Sequence, residues 1–286
     1  MNYNLIIQAE FIATEFLKQL ARLSGAHRIQ AISQQAFRLL GANPDSQAAV
    51  AALCSAAALD YGFIPATRRL SDFGLVVMDM DSTLITIECI DEIADMIGVK
   101  PQVAQITEAA MRGEIDFSES LTRRVALLAG LDEAALQRVY DERLQLSPGA
   151  EKMLGTLQQH NIKTLLVSGG FTFFAERLQV RLGLDYTASN TLEAVGGKLS
   201  GRVLGQIVDA QGKADHLNRI RTGLGLKREQ VVAVGDGAND LKMMAEAGVS
   251  IAYHAKPVVQ AQASYALNFT GLDAVIPLLG IQENSI

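Results

Sequence analysis

The chain has 286 residues, 49% of them hydrophobic and 20% charged, with 24 Gly, 6 Pro and a net charge of −6. That balance excludes a disordered or low-complexity chain, and the length predicts about two domains. The acidic excess argues against a nucleic-acid surface but not against an anionic substrate, because one site needs only a few local cations.

The opening segment MNYNLIIQAE lacks the cationic start and apolar stretch of a signal peptide. The most lipid-like run, residues 48–59, is too short to span a bilayer. Both predict a cytoplasmic protein with no membrane partner. Residues 1–70 read as a small α/β domain. Residues 4–8 suit a short strand, and Phe11, Ile12, Phe16 and Leu20 recur at helical spacing until Gly25. Residues 28–33 alternate as a strand should. Asn43-Pro44-Asp45-Ser46 is a turn and helix start, followed by an Ala-rich helix to about Leu59. Gly62, Pro65 and the polar run 68–72 read as a connector. Cys54 and Cys89 are too few for a disulfide framework, and both are expected to be core packing, with a nucleophile as the alternative.

From Phe73 the texture changes. Residues 75–78 (LVVM), 164–167 (TLLV) and 231–234 (VVAV) are short continuous apolar runs. Such runs suit parallel strands covered by helices on both faces. Helices are expected between them, one capped by Ser147 and Pro148, others at about 172–182, 214–222 and 240–247. The fold class predicted is therefore α/β, a doubly wound parallel sheet over 71–286. The helical stretch at about 88–146 exceeds a plain crossover and reads as an inserted helical cap. Residues 193–199 carry a Gly-Gly hairpin turn.

Each apolar run ends in polar residues. The first leads into Asp79-Met80-Asp81-Ser82-Thr83, the second into Ser168-Gly169-Gly170, and the third into Gly235-Asp236-Gly237-Ala238-Asn239-Asp240. Ligands of open parallel sheets bind beyond the carboxyl ends of the strands, so these three ends converge on one crevice. Carboxylates from Asp79, Asp81, Asp236 and Asp240 repel one another unless a cation joins them. Hard oxygen ligands without His or Cys select Mg²⁺. With glycine-rich backbone and Lys213 nearby, this is a phosphate site. A bare strand-terminating Asp is common, but three adjacent strand ends of this kind are not.

These motifs, in this order, resemble the haloacid dehalogenase superfamily of aspartate-nucleophile phosphatases. Glu88-Cys89-Ile90-Asp91-Glu92, Met111-Arg112-Gly113, Phe117, Arg123-Arg124-Val125 and Gly169-Gly170-Phe171-Thr172 narrow the resemblance to its phosphoserine phosphatases. The likeness covers about residues 71–270. Residues 1–70 are similar only in outline to the regulatory or dimerising modules that precede this domain in relatives. The resemblance implies Mg-dependent hydrolysis of O-phospho-L-serine through an aspartyl-phosphate, the last step of serine biosynthesis. It implies Asp79 as nucleophile and Asp81 as general acid and base. Mg²⁺ is then held by Asp79, the backbone carbonyl of Asp81, and Asp236. Ser168, Gly169 and Lys213 hold the phosphoryl oxygens, Asn239 orients the site, and Asp240 fixes Lys213 or the metal's surroundings. A homodimer through the N-terminal domain is the corresponding expectation for the assembly.

Substrate choice is assigned to the cap. Glu88 suits the ammonium of phosphoserine, and Arg124 can fork onto its carboxylate. With Phe117 at zero and about 100° per residue, Leu121 falls at about 40°, Leu128 at about 20° and Arg124 at about −20°. Arg124 thus sits in the apolar stripe and needs a partner, either a bound carboxylate or a structural acid. Met111 and Phe117 either cover the bound amino acid or belong to the core. Asp91, Glu92 and Asp95 read as a solvated helix face opposite Ile90, Ile93 and Ile97. The competing functions are another small-molecule phosphatase or phosphotransferase of the same chemistry, and a phosphorylated receiver module. The receiver lacks a cap and has no two acids two residues apart on its first strand. For residues 1–70, ligand binding, regulation and dimerisation all remain open.

Overall fold

The computed structural model describes residues 2–281. Its first strand, β1 (Tyr3–Gln8), is buried along almost its whole length because both faces are covered. Leu5 and Ile7 pack with Leu17, Leu20, Val50 and Cys54, whereas Ile6 points the other way, into a core shared with Ile64, Leu272 and Leu278. The apolar side chains of α1 (Thr14–Ser24) and α2 (Gln47–Ala56) cover the first of these faces. β2 (Arg28–Ala31), β3 (Ala36–Ala42) and β4 (Asp60–Pro65) complete an antiparallel sheet of order β2-β3-β1-β4. β4 corrects the connector expected around Gly62 and Pro65. Its residues alternate between buried and half-buried, a strand signal that the glycine and proline interrupt on paper. The first helix begins at Thr14 and leaves Phe11 81% exposed, outside the apolar stripe assigned to it.

The second sheet starts at β5 (Leu75–Met78), all four residues of which are buried. Four helices follow before the chain returns: α3 (Cys89–Met96), α4 (Lys100–Met111), α5 (Phe117–Ala126) and α6 (Ala134–Glu142). Then come α7 (Ala150–Gln159), β6 (Lys163–Phe171), α8 (Thr172–Leu182), the hairpin of β7 (Tyr186–Val195) and β8 (Lys198–Leu204), and α9 (Ala210–Gly223). β9 (Val231–Gly235), α10 (Leu241–Ala245), β10 (Val249–Tyr253) and β11 (Tyr265–Leu267) complete the order β11-β10-β9-β5-β6-β7-β8. All neighbours are parallel except β7 and β8. The sheet is α/β and mostly parallel, with β5 between β6 and β9. The loops after these three adjacent strands therefore open onto one end of the sheet.

α7 begins later than expected. Its N-cap is Gly149, at φ +78°, and Ser147 and Pro148 lie outside the helix. The left-handed turn there tucks beside Asp273 and lets the Pro148 carbonyl accept from the Leu272 N–H. The hairpin grips the cap through main-chain bonds, Gly130 N–H to Leu199 O, Leu199 N–H to Leu131 O and Glu133 N–H to Gly197 O, at 2.8–2.9 Å. Inside the cap, Arg143 binds Glu92 and Asp95 at 2.6 Å each, so these acids staple α3 to the end of α6. Ile97 lies just past α3 and is 39% exposed, a departure from the packing role expected of it.

Candidate active site

β5 delivers Asp79 to the end of the sheet, where its main-chain N–H still bonds Val234 O at 3.1 Å. The chain then turns tightly through Met80–Leu84, with Ser82 at φ +56°. The Met80 N–H donates to Asp79 Oδ1 at 2.7 Å. From α9, Lys213 reaches Asp79 Oδ1 and Asp240 Oδ1, each at 2.7 Å, and is only 1% exposed itself. Asp240 Oδ2 in turn accepts from the Gly237 N–H. Asp236 accepts from the Thr83 hydroxyl at 3.2 Å. Burial raises Asp79 well above the ordinary carboxylate range and the Asp240 charge adds to this, while Lys213 opposes both. Burial and then Asp240 push Asp236 up to about 6. Burial works against the charge of Lys213, but Asp240 and Asp79 outweigh it and raise the ammonium above its usual value.

Oxygens of Asp79, Asp236 and Asp240 lie within 4.8 Å of one another. Three carboxylates face one ammonium, which leaves an excess of negative charge in a buried place. The donor set is oxygen alone, so it fits a hard divalent cation such as Mg²⁺.

Asp81 occupies the opposite side of the turn. Its Oδ1 accepts from the Cys89 N–H at 3.0 Å and its Oδ2 from the Ser168 hydroxyl at 3.5 Å. Burial raises its pKa, against the pull of these donors. The Cys89 thiol is fully buried, and burial followed by the Asp81 charge pushes it far up, so it stays a neutral thiol. Ser168 is buried and accepts from the Gly170 N–H at 2.8 Å. A side chain on Gly170 would stand 2.6 Å from Asp81 Oδ2, so only glycine leaves this wall open.

The cap supplies the rim. The Ser82 hydroxyl donates to Glu88 at 2.6 Å. Burial among neighbours, then the Asp81 charge, push Glu88 up to about 7. Arg124 is half-buried, and its Nε reaches the Ser120 carbonyl at 3.4 Å. Among the described residues, no carboxylate lies within ion-pair distance of it. Burial lowers its pKa, opposed by Asp91, Glu88 and Asp81. Asp91 is half-buried and feels the Arg124 charge, so it does not lie on a purely solvated face. Arg123 points outward and pairs with Glu119. Phe117 leans over Gly169, with its ring Cζ 2.7 Å from where a Cβ would stand. Asn239 is half-buried beside Gly237. Met111 is 67% exposed at the end of α4 and stays outside this cluster of buried groups.

Sequence reasoning passed over three features. The Cys89 N–H on Asp81 and the charge interaction of Asp91 with Arg124 depend on how α3 enters and leaves the turn. Asn190, on β7, has no chemical motif around it, yet its amide bonds Gly169 O and Val208 N–H.

A family model of haloacid dehalogenase-like hydrolases matches residues 73–248, and one of a domain of unknown function matches 5–50. A phosphoserine phosphatase from Polaromonas sp. strain JS666 is 53% identical over 216 residues, 74% of this chain and 92% of its own length. A solved structure of a probable phosphoserine phosphatase from Vibrio cholerae, in unliganded form, has a TM-score of 0.85 at 41% identity, covering 96% of this chain and 86% of that one. A haloacid dehalogenase family hydrolase from Salmonella enterica serovar Typhi has a TM-score of 0.88 at 32% identity and covers 99% of both chains. Among the described residues, no helix is long and apolar enough to cross a membrane.

Proposed function

The chain belongs to the haloacid dehalogenase-like hydrolases, among the phosphoserine phosphatases, and on that premise we propose that it hydrolyses O-phospho-L-serine by way of an aspartyl-phosphate on Asp79. The observation that carries this reading is the buried contact of Lys213 with both Asp79 and Asp240, beside Asp81, at 2.7 Å.

Asp79 attacks phosphorus, the bond from phosphorus to the serine oxygen breaks, and Asp81 gives that oxygen its proton. Water then attacks the acyl phosphate while Asp81 takes the water's proton back. Inorganic phosphate leaves and Asp79 is restored. Burial that raises the pKa of Asp81 suits a group that must both hold and release a proton. Ser168, the Gly169 backbone and Lys213 bind the phosphoryl oxygens, with Asn239 orienting the same end. Asp79, the backbone carbonyl of Asp81, and Asp236 would hold Mg²⁺. When bound, the ion supplies positive charge that offsets repulsion between the nucleophile and the phosphoryl group.

Glu88 receives the substrate ammonium and Arg124 its carboxylate. Among the described residues no carboxylate stands within ion-pair distance of Arg124, which supports this over a structural salt bridge. Phe117 covers the serine carbon chain. Met111 joins it only if α4 moves inward. Residues 1–70 form a regulatory or homodimerising domain, and 71–286 the catalytic domain with its cap at about 88–146; Met1 and residues 282–286 lie outside the described residues. The cell compartment proposed is the cytoplasm, where Cys54 and Cys89 stay free, and the reaction proposed is the closing step of serine formation.

The test is a phosphate-release screen over phosphorylated small molecules, with and without Mg²⁺. Phosphoserine should exceed sugar phosphates, which lack the ammonium and carboxylate, by at least about tenfold, and should exceed phosphothreonine by about as much because its extra methyl has to fit beneath Phe117. Transfer of the phosphoryl group to another hydroxyl, with no phosphate released, would support the phosphotransferase instead.

A further inference from the structure

The pairing of β6 with β7 breaks where the chemistry begins. Val167 faces Ala188, and the next matched pair is Phe171 with Asn190. Four steps along β6 therefore correspond to two along β7. The bulged stretch is Ser168-Gly169-Gly170, and the ladder does not hold it.

Asn190 fills that gap with its side chain. It is 1% exposed. Its Nδ2 donates to Gly169 O at 2.8 Å, and its Oδ1 accepts from the Val208 N–H at 2.8 Å. The Gly169–Gly170 peptide is thus fixed at both ends, its carbonyl on Asn190 and its N–H on the Ser168 hydroxyl oxygen. With that oxygen accepting from Gly170, the Ser168 hydroxyl donates to Asp81 Oδ2 at 3.5 Å, so its orientation across the crevice follows from the same bulge. At the other end, Val208 precedes Asp209, the N-cap of α9. Asp209 accepts from the Gly212 N–H through its side chain and from the Lys213 N–H through its carbonyl, at 2.8 and 2.9 Å.

The geometry points to Asn190 as a positioning residue that sets the spacing between the Ser168–Gly169 wall and Lys213. It touches no substrate atom. It joins the two elements that grip the phosphoryl oxygens, and it rests on the proposed phosphatase reading of those residues. Hydrogen-bond partners one step behind a charged site commonly matter tenfold or more to it. A shift of about 1 Å in such groups can cost about 100-fold.

Two variants separate the links. Asn190→Asp keeps an acceptor for Val208 but sets a carboxylate against the Gly169 carbonyl. Asn190→Ala removes both bonds. In folded protein both should raise the inhibition constant for inorganic phosphate about tenfold. They should lower kcat/KM for phosphoserine and for p-nitrophenyl phosphate by the same factor, and leave inhibition by L-serine unchanged. A purely structural role would lower Tm and the active fraction without moving the phosphate constant. Phosphate affinity within about twofold of the parent, a loss confined to phosphoserine, or failure of both variants to fold would each overturn the proposal. Lys213→Ala is the control for the underlying reading. If it loses phosphate affinity while the Asn190 variants keep theirs, only the positioning role fails. If Lys213→Ala keeps it, the phosphate site itself is misassigned.

Discussion

The role proposed for Glu88 sets two opposing demands on it. Its carboxylate sits near Asp81 and is pushed up to about 7 before substrate arrives. An ionised Glu88 is what an ammonium requires, so a proton must leave first whenever the pH lies below about 7. The expected outcome is that kcat/KM for phosphoserine falls as pH drops through that value, by up to about tenfold per unit. Glu88→Gln should remove this limb of the profile while lowering its plateau. The sign for stability runs the other way. A carboxyl raised in the folded state favours folding at low pH, and that contribution is lost as pH rises from about 4.5 through about 7. Arg124 provides a second test at this scale. Arg124→Ala should raise KM for phosphoserine about tenfold or more, as loss of a charged bidentate contact does, while p-nitrophenyl phosphate is barely affected. Equal losses on both substrates would move Arg124 out of the specificity role.

Elements link these residues to the rest of the chain. α5 carries both Phe117 and Arg124, and its far end is held by the β7–β8 hairpin. Gly201 of β8 sits at φ +81°, and a Cβ there would stand 2.9 Å from Ala129 Cβ and 3.2 Å from Ala126 O. Gly201→Val combines backbone strain with overpacking, at about 2–4 kcal/mol. It should lower Tm and raise KM for phosphoserine, with kcat toward p-nitrophenyl phosphate retained. The apolar runs at β5, β6 and β9 were legible because a fully buried strand has no polar face to confuse the pattern. The stop of α8 at Gly183, φ +66°, was legible because glycine takes a left-handed C-cap without strain. β4 was not, since its burial depends on β1 on one side and β11 beyond the interface. The start of α7 was not, because Gly149 is fixed by Asp273, far along the chain.

The sheet-to-sheet contact governs the molecule as a whole. β4 meets β11, and Asp60, 2% exposed, crosses from one sheet to the other. Its carboxylate accepts from the Asn268 and Phe269 N–H groups and the Thr270 hydroxyl, at 2.7–3.0 Å. Gln8 and Arg38 add bonds to Ala274 O and Gly280 O. Asp60→Ala leaves buried donors without partners and should cost about 2–4 kcal/mol, read as a lower denaturant midpoint. Turnover by the fraction still folded should be unchanged, since Asp60 lies on the opposite side of the sheet order from β6 and β7. This contact was invisible in the sequence: Asp60 adjoins no motif, and its partners come some two hundred residues later. The crevice was more legible. The residues that meet there lie in short runs directly after strands, and strand order alone brings Asp79, Ser168 and Asp236 to one end. Asn190 and the Cys89 N–H stayed hidden because their roles exist only through bonds between elements.

The central claim is that the carboxylate of Asp79 is esterified in each cycle. Rapid quenching of the enzyme with ³²P-phosphoserine and Mg²⁺, followed by peptide mapping, tests it most directly. Acid-stable, hydroxylamine-labile label on Asp79, absent from folded Asp79→Asn together with turnover, is the predicted result. Label on another residue, or near-parental turnover by Asp79→Asn, would contradict the account.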